Sequence, residues 1–134
     1  MGCTFDWRDQ SVVKTFSGFI TGSEFVRSAE TVGADRRFDT LRIIYNDFLG
    51  IDGHSIDARA YARVAAARAG AALSNPNFRV AFIASGPAAQ DLSRAIAGAG
   101  SSAASYHPMV CATMAAGRAW FAAQPALDGL RHGH

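Results

Sequence analysis

Four residues that could perform chemistry lie close together in the middle of the chain: Asp47, Asp52, His54 and Ser55. Carboxylates, an imidazole and a hydroxyl are the groups used in acid-base and nucleophilic hydrolysis. A hydrolytic site also needs a partner group at fixed geometry, and this stretch contains neither a glutamate nor a second histidine. Asp residues are frequent in turns, so the same pattern also fits a solvated loop. Both interpretations stay open at this point.

Ser55 could also be modified, because it stands at the predicted start of a helix. The positive end of a helix dipole stabilises a phosphate placed there, which makes Ser55 a candidate phosphoacceptor. Plain N-capping is the simpler role, since Ser is one of the leading N-cap residues.

A second group of residues is basic. Arg59 and Arg63 are one turn apart on the same predicted helix, and Arg36 and Arg37 precede the third predicted strand. Guanidinium groups in such positions suit an acidic protein, a phosphate or a lipid headgroup. A solvated helix face, helped by Asp57, is the ordinary explanation for charges of this kind.

Other motifs for catalysis or cofactor binding are incomplete. Cys3 and Cys111 are too far apart in sequence to indicate a disulfide framework or a zinc site. Ser85, Gly86 and Pro87 lack the glycines of a nucleophile elbow. No glycine-rich phosphate loop follows a predicted strand. We therefore expect a non-enzymatic protein with no catalytic residue, no metal and no cofactor.

Charge and hydropathy limit the partners. The net charge of +2, from 13 basic and 11 acidic residues, is too small to require nucleic acid or an anionic membrane. The polar start of the chain does not resemble a signal peptide, and no run reaches the roughly 18 apolar residues of a membrane span. We expect a cytoplasmic protein without a nucleic-acid partner. The abundance of Ala and Arg, with Lys14 as the sole lysine, is typical of a GC-rich bacterial genome.

Hydrophobic runs predict the elements that must position these residues. Two β-rich runs separated by the polar turn Arg8 to Ser11 predict an N-terminal hairpin, and helix and strand then alternate. This order is typical of one open α/β sheet. The predicted strands are Thr4 to Trp7, Val12 to Ile20, Leu41 to Tyr45, Phe78 to Ala84 and a short strand within Tyr106 to Cys111, where Pro108 favours an edge position.

Helices are predicted between and after these strands. Thr21 and Glu24 form a capping-box pattern at the start of the first, and Gly33 is the expected residue after its end. The second runs from about Ile56 to Leu73, with Ser55 as its N-cap. The remaining predicted boundaries are a loop from Phe48 to His54, Pro87 at the start of the third helix, Gly98 to Gly100 at its end, Thr113 as the cap of the fourth and Pro125 as its end.

A chain of 134 residues fits one domain. We expect that domain to span residues 1–125 and residues 126–134 to form a flexible tail. An alanine-rich helix face and an edge strand are compatible with a homodimer.

The order β, β, α, β, α, β, α, β, α resembles the STAS domain of bacterial anti-sigma-factor antagonists. Three segments, Val12 to Gly18, Phe78 to Ser85 and Gly117 to Phe121, look like the small bacterial STAS-like proteins related to CRAL-TRIO lipid-binding domains. The resemblance implies a STAS-like open mixed β-sheet with helices packed on it. It also implies a phosphorylatable serine after the third strand. The matching stretch is Asp52 to Ile56, which has a single serine and otherwise lacks the Asp-Ser-Ser-Gly pattern of the family.

Three functions follow, in order of preference. The first is a non-enzymatic regulatory or interaction module that engages an unidentified protein partner through the loop and helix from Asp47 to Arg63. The second is a carrier of a small hydrophobic ligand or lipid in the CRAL-TRIO manner, with space beside Phe48, Tyr61 and Phe82. The third is a hydrolase that uses Asp47, His54 and Ser55.

Overall fold

The computed structural model describes residues 2–71, 73–98 and 108–124. The strands are β1 (Gly2–Arg8), β2 (Ser11–Thr21), β3 (Ile43–Ser55), β4 (Arg79–Ile83) and β5 (Met109–Cys111). The helices are α1 (Gly22–Ala34), α2 (Ala58–Ala71), α3 (Gly86–Gly98) and α4 (Met114–Ala123), and a short 3-10 helix, Arg36–Thr40, precedes β3.

The strands form one sheet in chain order, β1-β2-β3-β4-β5. β1 and β2 are antiparallel, whereas β2 to β5 run parallel. Right-handed crossovers between neighbouring parallel strands bring the connecting helices to the same face of a sheet. α1, α2 and α3 accordingly pack on one face, and α4 packs on the other. The predicted open mixed α/β sheet is confirmed.

The larger core lies under α1, α2 and α3 and is rich in aromatic rings. The centroids of Phe16 and Phe48 are 4.7 Å apart, and Phe25 stands 5.2 Å from Tyr61 and 6.0 Å from Phe82. Most of these pairs are edge-on or tilted, which is the favourable arrangement of aromatic pairs. The rings beside which the sequence predicted a ligand space thus pack against one another.

The smaller core lies under α4, where Gly117 allows the helix to approach the sheet closely. A Cβ atom on Gly117 would lie 2.7 Å from Cδ1 of Ile83 and 3.5 Å from Cε1 of Tyr45. Such a contact with Ile83 is shorter than van der Waals packing allows, so a larger residue would force α4 or the Ile83 side chain to move.

Two of the predicted caps, at the starts of α1 and α4, are present. Glu24 donates its backbone N–H to Thr21 Oγ1 (3.1 Å), and Thr21 donates its own to Glu24 Oε1 (2.8 Å), which completes the capping box of α1. Thr113 caps α4 by accepting from the N–H of Ala116. The prediction for Gly33 is wrong, because α1 continues through it to Ala34 and ends without a left-handed residue.

The predicted loop from Phe48 to His54 is also wrong, because β3 continues through it to Ser55. Gly50 pairs with Ser17 and Gly53 pairs with Phe19 on β2, with irregularities in register after Thr15 and Gly18. Glycine and aspartate indicate a turn locally, but the long neighbouring strand β2 supplies a partner for this backbone. A tertiary ladder therefore overrides the local preference.

Several predictions lie outside the described residues. These are the end of the fourth helix at Pro125, the tail from residue 126 to 134, the glycine stop beyond Gly98 and the first part of the last predicted strand. In the described part of the chain, no helix is both long enough and apolar enough to cross a membrane.

Candidate functional site

The β2–β3 ladder extends beyond the end of β4. The last β3–β4 pair joins Asp47 to Ile83, whereas β3 pairs with β2 as far as Thr21 and Ser55. Residues Leu49–Ser55 are therefore bordered by a strand on one side in the described part of the chain. We call these residues, together with Phe19 of β2, the β3 tip.

The β3 tip exposes two large apolar side chains. Phe19 is 52% exposed and Leu49 is 50% exposed. The Phe19 ring lies over the backbone of Gly53, where an added Cβ would be 3.3 Å from its Cδ2 atom. The sequence analysis placed Phe19 in a strand without identifying it as a surface residue. Its exposure could have been predicted from its position directly before Ile20, because adjacent strand residues point to opposite faces and Ile20 is buried.

His54 connects the end of β3 to α3. Its Nδ1 accepts the backbone N–H of Ile56 at 3.0 Å, and its Nε2 lies 3.6 Å from Oδ2 of Asp91. Because Nδ1 is an acceptor, the neutral ring carries its proton on Nε2, the atom that faces Asp91. The side chain is only 11% exposed, and at 3.6 Å its Nε2 faces Asp91 without a hydrogen bond.

Asp47 and His54 are not close enough to form an acid-base pair. Both belong to β3, and their separation along the strand is about 23 Å at roughly 3.3 Å per residue. Asp47 uses Oδ1 to accept the backbone N–H of Leu49. Ser55 follows His54 directly and points to the other face of the strand. The structure therefore does not bring together the three residues of the hydrolase hypothesis.

Ser55 is the last residue of β3 and does not cap α2. The cap is Asp57, whose Oδ1 accepts the backbone N–H of Ala60 at 2.9 Å. The prediction of Ser55 as N-cap is wrong because α2 begins at Ala58, later than the hydrophobic pattern indicated. Among the described residues, the exposed hydroxyl of Ser55 has no hydrogen-bond partner. Asp52 is exposed nearby on the same strand.

The four predicted surface arginines do not form one patch. Arg36 and Arg37 precede β3, whereas Arg59 follows it, and the 13 residues of β3 lie between. Arg37 is already engaged, since it donates to both oxygens of Asp35 and lies 4.3 Å from the centre of the Trp7 ring. Hydrogen bonds from Arg37 lower the pKa of Asp35 to about 2.

Arg59 and Arg63 are exposed on α2, and Arg59 lies in the first turn, next to the β3 tip. Arg59 follows Ser55, the last residue of the β3 tip, by four positions in the chain.

Two buried cations were missed by the sequence analysis. Lys14 is 1% exposed and Arg68 is 4% exposed. Lys14 occupies the same strand face as Val12 and Phe16, which are both buried, so the period of two was a signal that its side chain points inward. Arg68 lies 5.8 Å from the centre of the Phe38 ring, which explains how a guanidinium is accommodated at the end of α2.

Comparison with solved structures shows a likeness over almost the whole chain. The anti-sigma factor antagonist SpoIIAA in its unphosphorylated form matches with a TM-score of 0.57 and 9% identity, over 97% of this chain and 98% of that one. An uncharacterized protein of the DUF3478 family with a SpoIIAA-like fold, from Shewanella loihica, has a TM-score of 0.49 and 14% identity, over 90% of this chain and 92% of that one.

No protein-family model matches the sequence, and a search of the curated proteins found no match. Since the identities to the solved structures are low, the likeness is one of fold. In its sheet order, its helices and nearly its full length, the chain has the STAS-like fold of SpoIIAA.

Proposed function

We propose that this protein is a non-enzymatic regulatory module that binds a protein partner through the β3 tip and the adjoining start of α2. The observation that carries the proposal is the exposure of Phe19 and Leu49 on strands that extend past β4. Phe19 is paired with Gly53 in the β2–β3 ladder, and Leu49 lies between the paired residues Asp47 and Gly50, so binding would order little additional chain. A small entropic cost of this kind favours protein association.

The chemistry of the β3 tip suits a protein surface. Exposed aromatic and aliphatic groups act as anchors at interfaces when polar residues surround them. Asp52 and Ser55 supply such a rim on β3, and Arg59 supplies a positive charge on α2. This mixture of apolar and oppositely charged groups fits a partner segment that presents hydrophobic side chains between polar ones.

The free edge of β3 adds a second mode of recognition. Beyond Asp47 the strand has no β4 neighbour in the described part of the chain. Unpaired strand backbone can accept an extended segment of another protein, with main-chain hydrogen bonds that supply affinity. Phe19 and Leu49 would then determine which side chains the added segment can carry.

Ser55 is better suited to contact a partner than to serve as a phosphorylation site stabilised by a helix N-terminus. The carboxylate of Asp57 already occupies the N-terminus of α2, so a phosphate on Ser55 would add negative charge beside an existing anion. We propose that Ser55 lies within the interface and that any modification of it weakens binding.

The test is co-purification of the partner from the protein's own host with tagged wild-type and variant chains. Phe19→Ser and Leu49→Ser should each reduce recovery of the same partner, and the double variant should abolish it. Leu73→Ser is the matched control, because Leu73 is 91% exposed and lies just beyond the end of α2, away from the β3 tip. A partner that binds the double variant as well as the wild type, or that is lost with Leu73→Ser alone, would contradict the proposed surface.

A further inference from the structure

The sole lysine of the chain is buried in the apolar core beneath α1. Lys14 extends from β2, and its Nζ donates to Oγ of Ser28 at 3.0 Å. The same Nζ lies 5.5 Å from the centre of the Phe16 ring and 5.2 Å from that of Phe25. Ser28 in turn donates to the carbonyl oxygen of Phe25. In the described part of the chain, no carboxylate forms an ion pair with Lys14.

A buried amine without a counter-charge is costly for the folded state. Burial, with a smaller contribution from Arg68, lowers the pKa of Lys14 to about 7, although Cys3 acts in the opposite direction. Replacement of buried charges by apolar groups of similar size is often neutral or stabilising. Residues that reduce stability in this way are common at sites that bind a ligand or react with one.

A cavity adjoins this lysine, between β1, β2 and α1. Its volume is about 160 Å³, and its lining is mainly apolar, from residues that include Cys3, Phe5, Phe16 and Ile20. Phe16 and Ser28 line the cavity and also contact Lys14. The amine therefore stands directly behind the cavity wall, with only part of its hydrogen-bonding capacity used.

The size of the cavity limits the ligand to a small molecule. An engineered apolar cavity of about 150 Å³ is large enough to bind benzene. The exposed residues Arg27 and Thr31 on α1 also line the cavity, so the cavity opens to solvent beside them. The acidic residue there, Glu24, is engaged in the capping box of α1, where the helix N-terminus offsets its charge.

We propose that this cavity binds a small apolar monocarboxylate, whose carboxylate pairs with Lys14 beside Ser28 and whose hydrocarbon part fills the space next to Cys3, Phe5 and Ile20. The anion supplies the counter-charge that the fold lacks. Ser28 lines the cavity and accepts from Lys14 Nζ at 3.0 Å, and its hydroxyl donates to the Phe25 carbonyl oxygen. A carboxylate that replaces this carbonyl as the acceptor would be shared by Ser28 and Lys14. This site is separate from the β3 tip, because Ile20 and the exposed Phe19 point to opposite faces of β2.

The first test compares matched ligands by calorimetry on the full chain: hexanoate and benzoate against hexanol and benzyl alcohol. The acids should bind about 10-fold to 100-fold more tightly than the alcohols, as expected for a charge-assisted hydrogen bond. Lys14→Met, which retains most of the side-chain volume, should remove this preference for the acids. Ser28→Ala should reduce the preference in part.

A second measurement reports on the lysine itself. Because Lys14 is the only lysine, selective isotope labelling gives one side-chain signal whose titration can be followed by NMR. Hexanoate should raise the pKa of Lys14, because a bound carboxylate favours the ammonium form, and hexanol should not. Equal binding of acid and alcohol, full binding of the acid by Lys14→Met, or no saturable binding across the series from butyrate to octanoate would overturn the proposal.

Discussion

Nε2 of His54 lies 3.6 Å from Oδ2 of Asp91, and this approach joins the end of β3 to α3. The other ring nitrogen accepts the backbone N–H of Ile56, whereas Nε2 makes no hydrogen bond within the described residues. Asp91 also pairs with Arg94 at 2.8 Å. The position of His54 is therefore explained by its structural contacts, without a catalytic role. Asp47 is also too far from it to form an acid-base pair.

His54→Ala should destabilise the protein because it removes the acceptor for the Ile56 N–H in a half-buried position. The expected loss is about 1 to 3 kcal/mol of unfolding free energy, measured by urea denaturation. Asp91→Asn is the control and should cost much less, since its carboxylate is 48% exposed. NMR of the ring should show the tautomer with the proton on Nε2. A proton on Nδ1 would contradict the hydrogen bond with Ile56.

Lys14→Met should stabilise the folded state and flatten part of its pH dependence. Burial lowers the pKa of Lys14 from 10.5 in the unfolded chain to about 7 in the folded chain. Between these two values the unfolded state binds more protons, so the contribution of Lys14 makes stability rise with pH by up to about 1.4 kcal/mol per unit. Below pH 7 both states are protonated, and the full cost of the buried charge is present.

The measurement is urea unfolding of wild type and Lys14→Met between pH 6 and pH 9. The variant should be more stable at pH 6, and its advantage should shrink as the pH rises. Groups that Lys14 does not influence cancel in this difference. Cys3 does not, because burial raises its pKa and Lys14 acts in the opposite direction, so both chains are compared in a Cys3→Ala background. A constant difference across the range would mean that Lys14 is charged in the folded protein throughout.

The sequence predicted those parts of the fold that local patterns determine. The capping box at Thr21 and Glu24 and the alternation of helix and strand depend on residues close in sequence, and both are present. The course of β3 from Gly50 to Ser55 depends on pairing with β2, which local propensity does not encode. For this reason the sequence predicted a loop and a helix cap where the structure has a strand edge with Phe19 beside it.

Asn75 is a second residue whose role depends on contacts with residues distant in sequence. Asn75 follows the predicted end of the second helix at Leu73, and the sequence analysis assigned it no role. In the structure it is 2% exposed, and its Nδ2 donates to the carbonyl oxygens of Phe38 at 2.6 Å and of Leu41 at 2.8 Å. These contacts join segments that are distant in sequence, and a single sequence contains no pattern that pairs them.

Gly117→Ala should destabilise the protein although alanine is the better helix former. The added Cβ would lie 2.7 Å from Cδ1 of Ile83, so α4 or Ile83 must move. We expect a net loss of about 1 to 2 kcal/mol after the gain in helix propensity of about 1 kcal/mol. Thermal and urea unfolding provide the measurement.

Two further variants isolate the cause of this loss. Gly70→Ala on α2 has no atom within 4 Å of the added Cβ and should be neutral or stabilising. Ile83→Val removes the atom that collides, so it should recover part of the loss when combined with Gly117→Ala. If the double variant shows simple additivity, the close approach of α4 is not the source of the effect.

Two neighbouring residues at the start of α2 have different roles: Asp57 caps the helix, and Ser55 is available to a partner. Asp57→Ala should cost about 1 kcal/mol of unfolding free energy, because it removes the acceptor for the Ala60 N–H and an anion at the helix N-terminus. Ser55→Ala should change the unfolding free energy by less than about 0.5 kcal/mol, since its hydroxyl contacts solvent.

The effects on partner binding should be the reverse of the effects on stability: Ser55→Asp should weaken the complex, and Asp57→Asn should retain it. If Ser55→Ala destabilises the chain as much as Asp57→Ala does, Ser55 caps α2 in solution and its hydroxyl is not available to a partner.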